Sequence, residues 1–338
     1  MDGIQYGPTF SFYMVVLWVA YNNVALIIGI DKYVAVERLT SCENDARAMA
    51  DILWKDYNGE TYFSIETILS DKGKYSYVNE RVNNLFNLSA DTVLLYFAGH
   101  ASKFDNDTYL LTTDYSKTCP GISMHHLLCL AAQCNAQKKV IILDCCDSGS
   151  FGTCDYLNNI SMIPKDTVII ASASAGQKAY GYGDKNGVFT SLLGDAFKSN
   201  IGNIFGEVTT EDVYRFINAA LTPWQQTPVY KSNIMRPIVL KRLQPKITYE
   251  ELDKMVKIFK TKNSKKKLSE KYLKFSETTT EELKNNQLFS LYEKLYRYGL
   301  LIPSNQNENL YQAALHNSYI ELTNLGKFYH ECYTERKL

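Results

Sequence analysis

The sequence predicts an α/β fold. Its core is a mostly parallel sheet covered by helices on both faces, followed by a small, mainly α C-terminal domain. Three observations carry that reading. Short apolar runs alternate with amphipathic stretches from Val24 onward. Two of the runs, TVLLYFAGH over Thr92–His100 and VIILDCC over Val140–Cys146, end in a reactive residue followed by small or polar ones. Near Gln244-Pro245 the strand signals stop and lysine-rich helical periodicity begins.

The elements follow in order. Val24–Ile30 (VALIIGI) is a first buried strand. Asn44–Trp54 places Ala46, Met49, Ala50 and Leu53 at helical spacing. Phe63–Leu69 is a second strand and Tyr77–Phe86 a second helix. Thr92–Ala98 is the third strand, with a short one at Tyr109–Thr112. A helix over Ser123–Ala132 leads to the fourth long strand, Val140–Asp144, and Val168–Ser172 is the fifth. Val188–Phe197 and Glu211–Leu221 are helices, and Arg236–Leu240 is a last strand. Strands alternating with helices imply crossover connections and a parallel sheet.

The C-terminal part reads differently. Lys254 to Lys274 holds nine lysines against one acid, Glu270. Thr278-Thr279-Thr280-Glu281-Glu282 has the pattern of a capping box and opens a helix to about Leu300. Helices followed by a hairpin-like segment suggest a winged-helix-like module. The expected divisions are an apolar arm over residues 1–22, the α/β domain over 23–245 and the helical module over 246–338.

Bulk properties narrow the function. The 338 residues have zero formal net charge, which favours neither a nucleic-acid binder nor a membrane-surface protein as a whole. Eight cysteines in so long a chain, several in strand-like contexts, read as reduced thiols and a cytoplasmic setting. Phe10–Tyr21 is uncharged and apolar, but a membrane helix needs about 20 such residues, so it reads as a packing arm. It lacks the basic flank and small-residue cleavage site of a secretory signal.

The chemistry resides at the strand ends. In an open α/β sheet the carboxyl ends of the strands line one crevice. His100 and the Cys145-Cys146 doublet stand at two such ends, 46 positions apart. A thiol needs a nearby imidazole or helix N-terminus to react as thiolate. Side chains alternate along a strand, so one cysteine of the doublet faces the crevice and the other the core. Periodicity alone does not say which. The other histidines are less suited: His125 and His126 are adjacent in a helix, and His316 and His330 lie in the C-terminal part.

Gly99-His100, Asp144-Cys145-Cys146-Asp147-Ser148-Gly149, and the segment Ala171-Ser172-Ala173-Ser174 with Gln177-Lys178-Ala179-Tyr180 resemble the caspase-like cysteine peptidases, metacaspases and bacterial members above all. The resemblance covers roughly residues 22–243. It implies a caspase-like three-layer sandwich and a His–Cys dyad. His100 matches the general acid/base, Cys146 the nucleophile, and Cys145 the core-facing member. The backbone N–H groups of Ala101 and Cys146 match the oxyanion hole. The family usually has glycine where this chain has Ala101, and histidine after the nucleophile where it has Asp147. Gly121–His126 lacks the acids that bind calcium in many metacaspases, so no metal and no cofactor is expected.

The segment Leu39–Ala46 (LTSCENDA) also resembles the metacaspases. By that resemblance Cys42, Asp45 and Asp144 line the pocket for the residue before the cut. Two carboxylates there favour arginine or lysine. Lys165, Lys178 and Lys185 then become candidate self-cleavage sites. The expected partners are protein or peptide substrates and a regulatory protein docked through the C-terminal module. The alternatives are a catalytically silent caspase-like scaffold and a winged-helix nucleic-acid-binding regulator.

Overall fold

The computed structural model describes residues 22–104, 107–146, 163–172, 186–199, 201–221, 228–273 and 279–335. The apolar stretch Phe10–Tyr21 lies outside them. The chain divides into two compact units, one ending at Leu243 and the other comprising 203–206 and 244–338.

The first unit is built on one sheet. Its central strands are β1 (Asn23–Gly29), β2 (Ser64–Leu69), β3 (Thr92–Phe104), β6 (Lys138–Cys146), β7 (Thr167–Ala171) and β9 (Val229–Asn233), in the order β2-β1-β3-β6-β7-β9. All neighbours pair in parallel except β7 and β9. The short strands β4 (Asp107–Leu110) and β5 (Ile122–Ser123) extend β3 as an antiparallel ribbon.

Both faces are apolar because the strands are covered on both sides. On one face Val93, Leu95 and Phe97 of β3 and Ile141, Leu143 and Cys145 of β6 pack with α2 (Tyr75–Phe86) and α3 (Met124–Gln133). On the other, Leu94, Tyr96 and Ala98 of β3 and Val140 and Ile142 of β6 pack with α1 (Cys42–Trp54), α4 (Val188–Lys198) and α5 (Thr210–Leu221). The arrangement is a three-layer sandwich with a period-2 sheet between 3.6-period helices. Helix α1 begins under a borrowed cap. The Ser41 side chain makes no cap bond, and the Asp31 carboxylate accepts the N–H groups of Cys42 (2.8 Å) and Glu43 (3.2 Å) instead.

Two expectations change. The third strand does not stop at Ala98. It runs to Phe104 because Ala101–Phe104 leave the central sheet and pair with β4. The strand expected at Arg236–Leu240 is β10 (Val239–Arg242), which pairs with β8 (Glu207–Thr209) in a separate two-stranded sheet. The sixth strand of the main sheet is β9, whose VYKSN sequence is half-exposed and shows no apolar alternation.

The second unit holds α6 (Tyr249–Ile258), β11 (Lys265–Lys267), α7 (Thr280–Arg297), β12 (Leu301–Pro303), α8 (Leu310–Leu315), β13 (Tyr319–Leu322) and α9 (Asn324–Thr334). Among the described residues, three of its four α-helices start at a reciprocal capping box: Thr248/Glu251, Thr279/Glu282 and Asn309/Gln312. The strands form an antiparallel sheet in the order β11-β13-β12. Its core contains Leu252, Met255, Phe259, Tyr292, Leu295 and Ile320. His330 Nε2–H donates to the Phe259 carbonyl (2.6 Å) and is buried there, a structural role.

Candidate active site

His100 stands where β3 changes partners. Its register partner in the parallel β3–β6 ladder is Cys146, the last pair of that ladder. The next residue, Ala101, already pairs with Leu110 of β4. Strand spacing brings the backbones of positions 100 and 146 to about 4.8 Å. Paired residues of parallel strands lie on one side of the sheet, so positions 100 and 144 share the side of Ala98. Cys145 takes the other side and is buried there, 3% exposed.

One loop clamps the histidine. The Glu37 carbonyl lies 2.8 Å from His100 Nε2. A carbonyl only accepts, so Nε2 carries the proton and the lone pair of the neutral ring is on Nδ1. Four residues earlier in the same loop, Tyr33 accepts the His100 backbone N–H at its hydroxyl oxygen (2.8 Å). Its ring also lies against the imidazole, with centroids 4.8 Å apart. Gly99 is required for this: a Cβ there would sit 2.5 Å from the Tyr33 hydroxyl. Burial holds the Tyr33 phenol far above its ordinary pKa, so it stays neutral. The loop is itself tied down, with the N–H groups of Asp31 and Lys32 on Ser70 Oγ (2.9 and 3.1 Å) and Val34 N–H on the Thr113 carbonyl (3.1 Å).

Ala101 keeps a usable backbone donor. It is extended and is not among the residues at positive φ. The Leu111 N–H bonds the His100 carbonyl (2.9 Å), which makes the 101/110 pair the non-bonded one of an alternating antiparallel ladder. The Ala101 N–H therefore points away from β4.

The acids form a separate cluster beside this pair. Asp144 lies two residues before Cys146 on β6, about 6.6 Å back along the strand. Asp45 projects from the first turn of α1 and is 2% exposed, and Asp144 is 8% exposed. A Cβ built on Gly187 would stand 3.2 Å from Asp45 Oδ2 and 3.6 Å from Asp144 Oδ2, so the two carboxylates flank one point at the start of α4. Gly187 N–H donates to Asp45 Oδ1 (2.9 Å) and Thr190 Oγ1 donates to Asp144 Oδ2 (2.7 Å). Among the described residues neither acid has an ion-pair partner. Burial first, then the Asp144 charge, push the Asp45 carboxyl up to about 7. Burial also raises Asp144, against the pull of donors from Thr190, Ser172 and Tyr96.

The remaining sequence candidates are distributed as follows. Cys42 is buried in the same first turn of α1, one turn before Asp45. Lys165 is exposed in the turn before β7, at the amino end of the strands and away from the crevice. Lys178 and Lys185 lie outside the described residues, as do Asp147–Gly149. Sequence reasoning missed Tyr33, the Glu37 carbonyl, Gly187, Thr190 and Tyr96. Among the described residues no three His, Cys, Asp or Glu side chains group as a metal site. No helix among them is long and apolar enough to cross a membrane.

The profile of the caspase domain, Peptidase C14, matches residues 22–239. The chain belongs to this family, and its three-layer first unit is the caspase-like fold. It therefore carries a cysteine-peptidase domain, whose substrates are proteins. A crystal structure of a Geobacter sulfurreducens protein is similar at 16% identity and TM-score 0.48, over 66% of this chain and 98% of that one. Caspase-1 from Spodoptera frugiperda is similar at 15% identity and TM-score 0.47, over 66% and 91%. No curated protein sequence matches the chain.

Proposed function

We propose that the protein is a cysteine endopeptidase that cuts after arginine or lysine with a His100–Cys146 dyad. The observation that carries the reading is the register: β3 and β6 end their pairing at His100 and Cys146, with the Asp45/Asp144 acid pair two residues away.

The chemistry follows from the donors and acceptors. His100 Nδ1 takes the Cys146 thiol proton, and the sulfur attacks the substrate carbonyl carbon. The carbonyl electron pair moves to oxygen, where the N–H groups of Ala101 and Cys146 stabilise it. Removing one such donor typically costs ~3–4 kcal/mol of transition-state stabilisation. Collapse of the intermediate breaks the C–N bond, and His100 returns the proton to the departing amine. Water, deprotonated by the same nitrogen, hydrolyses the thioester. The Glu37 carbonyl stabilises the imidazolium during both halves. Ala101 preserves the N–H that a scaffold reading would need to lose.

The acid pair supplies the preference. Two buried carboxylates with no ion-pair partner among the described residues are matched by a guanidinium or ammonium group from outside. Self-processing after Lys178 or Lys185 is part of this proposal. Lys165 is the weaker candidate, because the following Asp166 donates its N–H to Asn233 (2.7 Å) and accepts from Lys139 (2.8 Å). A protease would have to open that turn first.

The second unit is read as a docking module for a regulatory protein. The strand order β11-β13-β12 with α7 before β12 supports reading this unit as winged-helix-like. Its lysines are partly neutralised within the unit: Lys257 by Asp253, Lys262 by Glu331 and Lys265 by Glu321. That favours a protein partner over a nucleic acid.

The test is turnover of short peptides differing only in the residue before the cut. Cysteine-dependent cleavage of arginine- and lysine-ended peptides by wild type, lost in Cys146→Ala, is the expected result. Equal turnover of aspartate- or leucine-ended peptides removes the specificity reading. Absence of Cys146-dependent turnover, with any peptide and with protein partners present, leaves the scaffold reading. Intact-mass comparison of the two proteins tests self-processing.

A further inference from the structure

We infer that Thr190 is a specificity-positioning residue: its hydroxyl holds Asp144 as an aimed, ionised carboxylate and so sets the pocket's preference for a cationic side chain. The inference rests on the pocket reading above and deepens it.

The argument starts from an imbalance. A buried carboxylate without a cation ordinarily takes up a proton. Asp144 and Asp45 share one small space, so each disfavours the other's charge. What separates them is the first turn of α4. Asp45 receives one backbone donor there, from Gly187. Asp144 receives the Thr190 hydroxyl at 2.7 Å, reinforced by the Ser172 side chain and the Thr190 backbone.

The direction of these bonds is determined by counting protons. Thr190 has one hydroxyl proton and gives it to the carboxylate. Its lone pairs are then free to accept, and Tyr96 Oη lies 2.6 Å away. Tyr96 is fully buried, and burial keeps its phenol protonated, so it donates. Thr190 and Tyr96 thus form one cluster of three buried groups with Asp144, the phenol lying against both the Thr190 hydroxyl and the carboxylate. Chained donors in a low-dielectric interior reinforce one another. The N-terminal end of α4 also carries partial positive charge toward the same carboxylates. Gly187 keeps that turn close without placing a Cβ between the acids.

Asp144, which collects more donors than Asp45, is the more readily ionised of the two acids, and the Thr190 hydroxyl is one of those donors, at 2.7 Å. Removing the Thr190 hydroxyl while keeping its shape takes away one donor to the carboxylate and the hydroxyl partner of Tyr96.

The experiment compares peptides ended by arginine with the same peptides ended by citrulline, its neutral isostere, in wild type, Thr190→Val, Thr190→Ser and Tyr96→Phe. Thr190→Val is expected to lower the arginine-over-citrulline ratio of kcat/KM about 10-fold or more, the scale of a hydrogen bond to a charged group. KM for the arginine peptide rises more than kcat falls. Thr190→Ser restores the ratio, and Tyr96→Phe lowers it by a smaller factor. The same peptides are titrated calorimetrically into Cys146→Ala with and without Thr190→Val, which reads the pocket without turnover. An unchanged ratio in Thr190→Val, in a wild type that does prefer arginine, overturns the inference and leaves the pocket reading standing. A wild type that neither cuts nor binds arginine in preference to citrulline overturns both.

Discussion

Charge is held in opposite ways in the two units. In the second unit the lysines and acids meet at the surface: Lys257 with Asp253, Lys262 with Glu331, Lys265 with Glu321 and Lys294 with Glu251, all with exposed or half-exposed partners. In the first unit Asp45 and Asp144 are buried side by side with no cation among the described residues. Exposed pairs are worth little and neutralise themselves. A buried like-charged pair is costly and attracts a cation, and none of the described residues pairs with these two acids as one. The lysine run of the second unit is thus a solvated face, whereas the two acids of the first unit are a buried pair without an ion-pair partner among the described residues. The proposed pocket rests on that difference.

The largest effect expected from this contrast is on Asp144→Asn. Truncating one partner of a buried, hydrogen-bonded charge pair costs roughly 2–5 kcal/mol, so kcat/KM for arginine-ended peptides should fall about 30-fold to several-thousand-fold. A fall of the same size for citrulline-ended peptides would show that Asp144 supports the dyad rather than the pocket.

Asp45→Asn should cost less and should remove a pH dependence. With a folded pKa near 7, Asp45 holds a proton below that pH and loses it above. KM for basic peptides should therefore fall as pH rises through about 7 in wild type and stay flat in Asp45→Asn. Stability runs the other way. Between the unfolded value of 3.8 and about 7 the folded state binds the extra proton, so folding stability decreases as pH rises through that window. Chemical unfolding of wild type and Asp45→Asn at pH 4 and pH 8 measures it. A wild-type curve that gains stability across the window on account of Asp45 would contradict the buried-pair description.

Smaller changes belong to the second unit. Thr279→Ala removes the cap of α7 and should destabilise that unit by about 1 kcal/mol, read as a shift in its unfolding midpoint. Lys294→Ala should cost at most about 1 kcal/mol and leave peptide turnover untouched. A larger loss in either activity or stability would mean that the surface charges are not self-contained.

The parts legible in the sequence are those written in local pattern. The apolar runs ending at His100 and Cys146 showed the strands and the reactive ends, because a buried parallel strand is a continuous apolar run. The capping box at Thr279 was legible for the same reason, since its two partners are three residues apart. Strand β9 was not, because its half-exposed VYKSN lacks the alternation that marks a strand. The extension of β3 past His100 depends on a partner, β4, rather than on its own residues. The clamp on His100 uses a main-chain carbonyl, which any residue at position 37 supplies. The hydrogen bond between Tyr96 and Thr190 joins residues 94 positions apart, and each alone reads as a core side chain.

The measurement that bears most directly on the central claim is the cut-site profile of the purified protein. A peptide library varied only at the residue before the cut, assayed with wild type, Cys146→Ala and Asp144→Asn, separates chemistry from selection. The account predicts turnover confined to arginine and lysine, abolished in Cys146→Ala and reduced for basic residues in Asp144→Asn. Efficient Cys146-dependent cleavage after acidic or neutral residues, insensitive to Asp144→Asn, would contradict it.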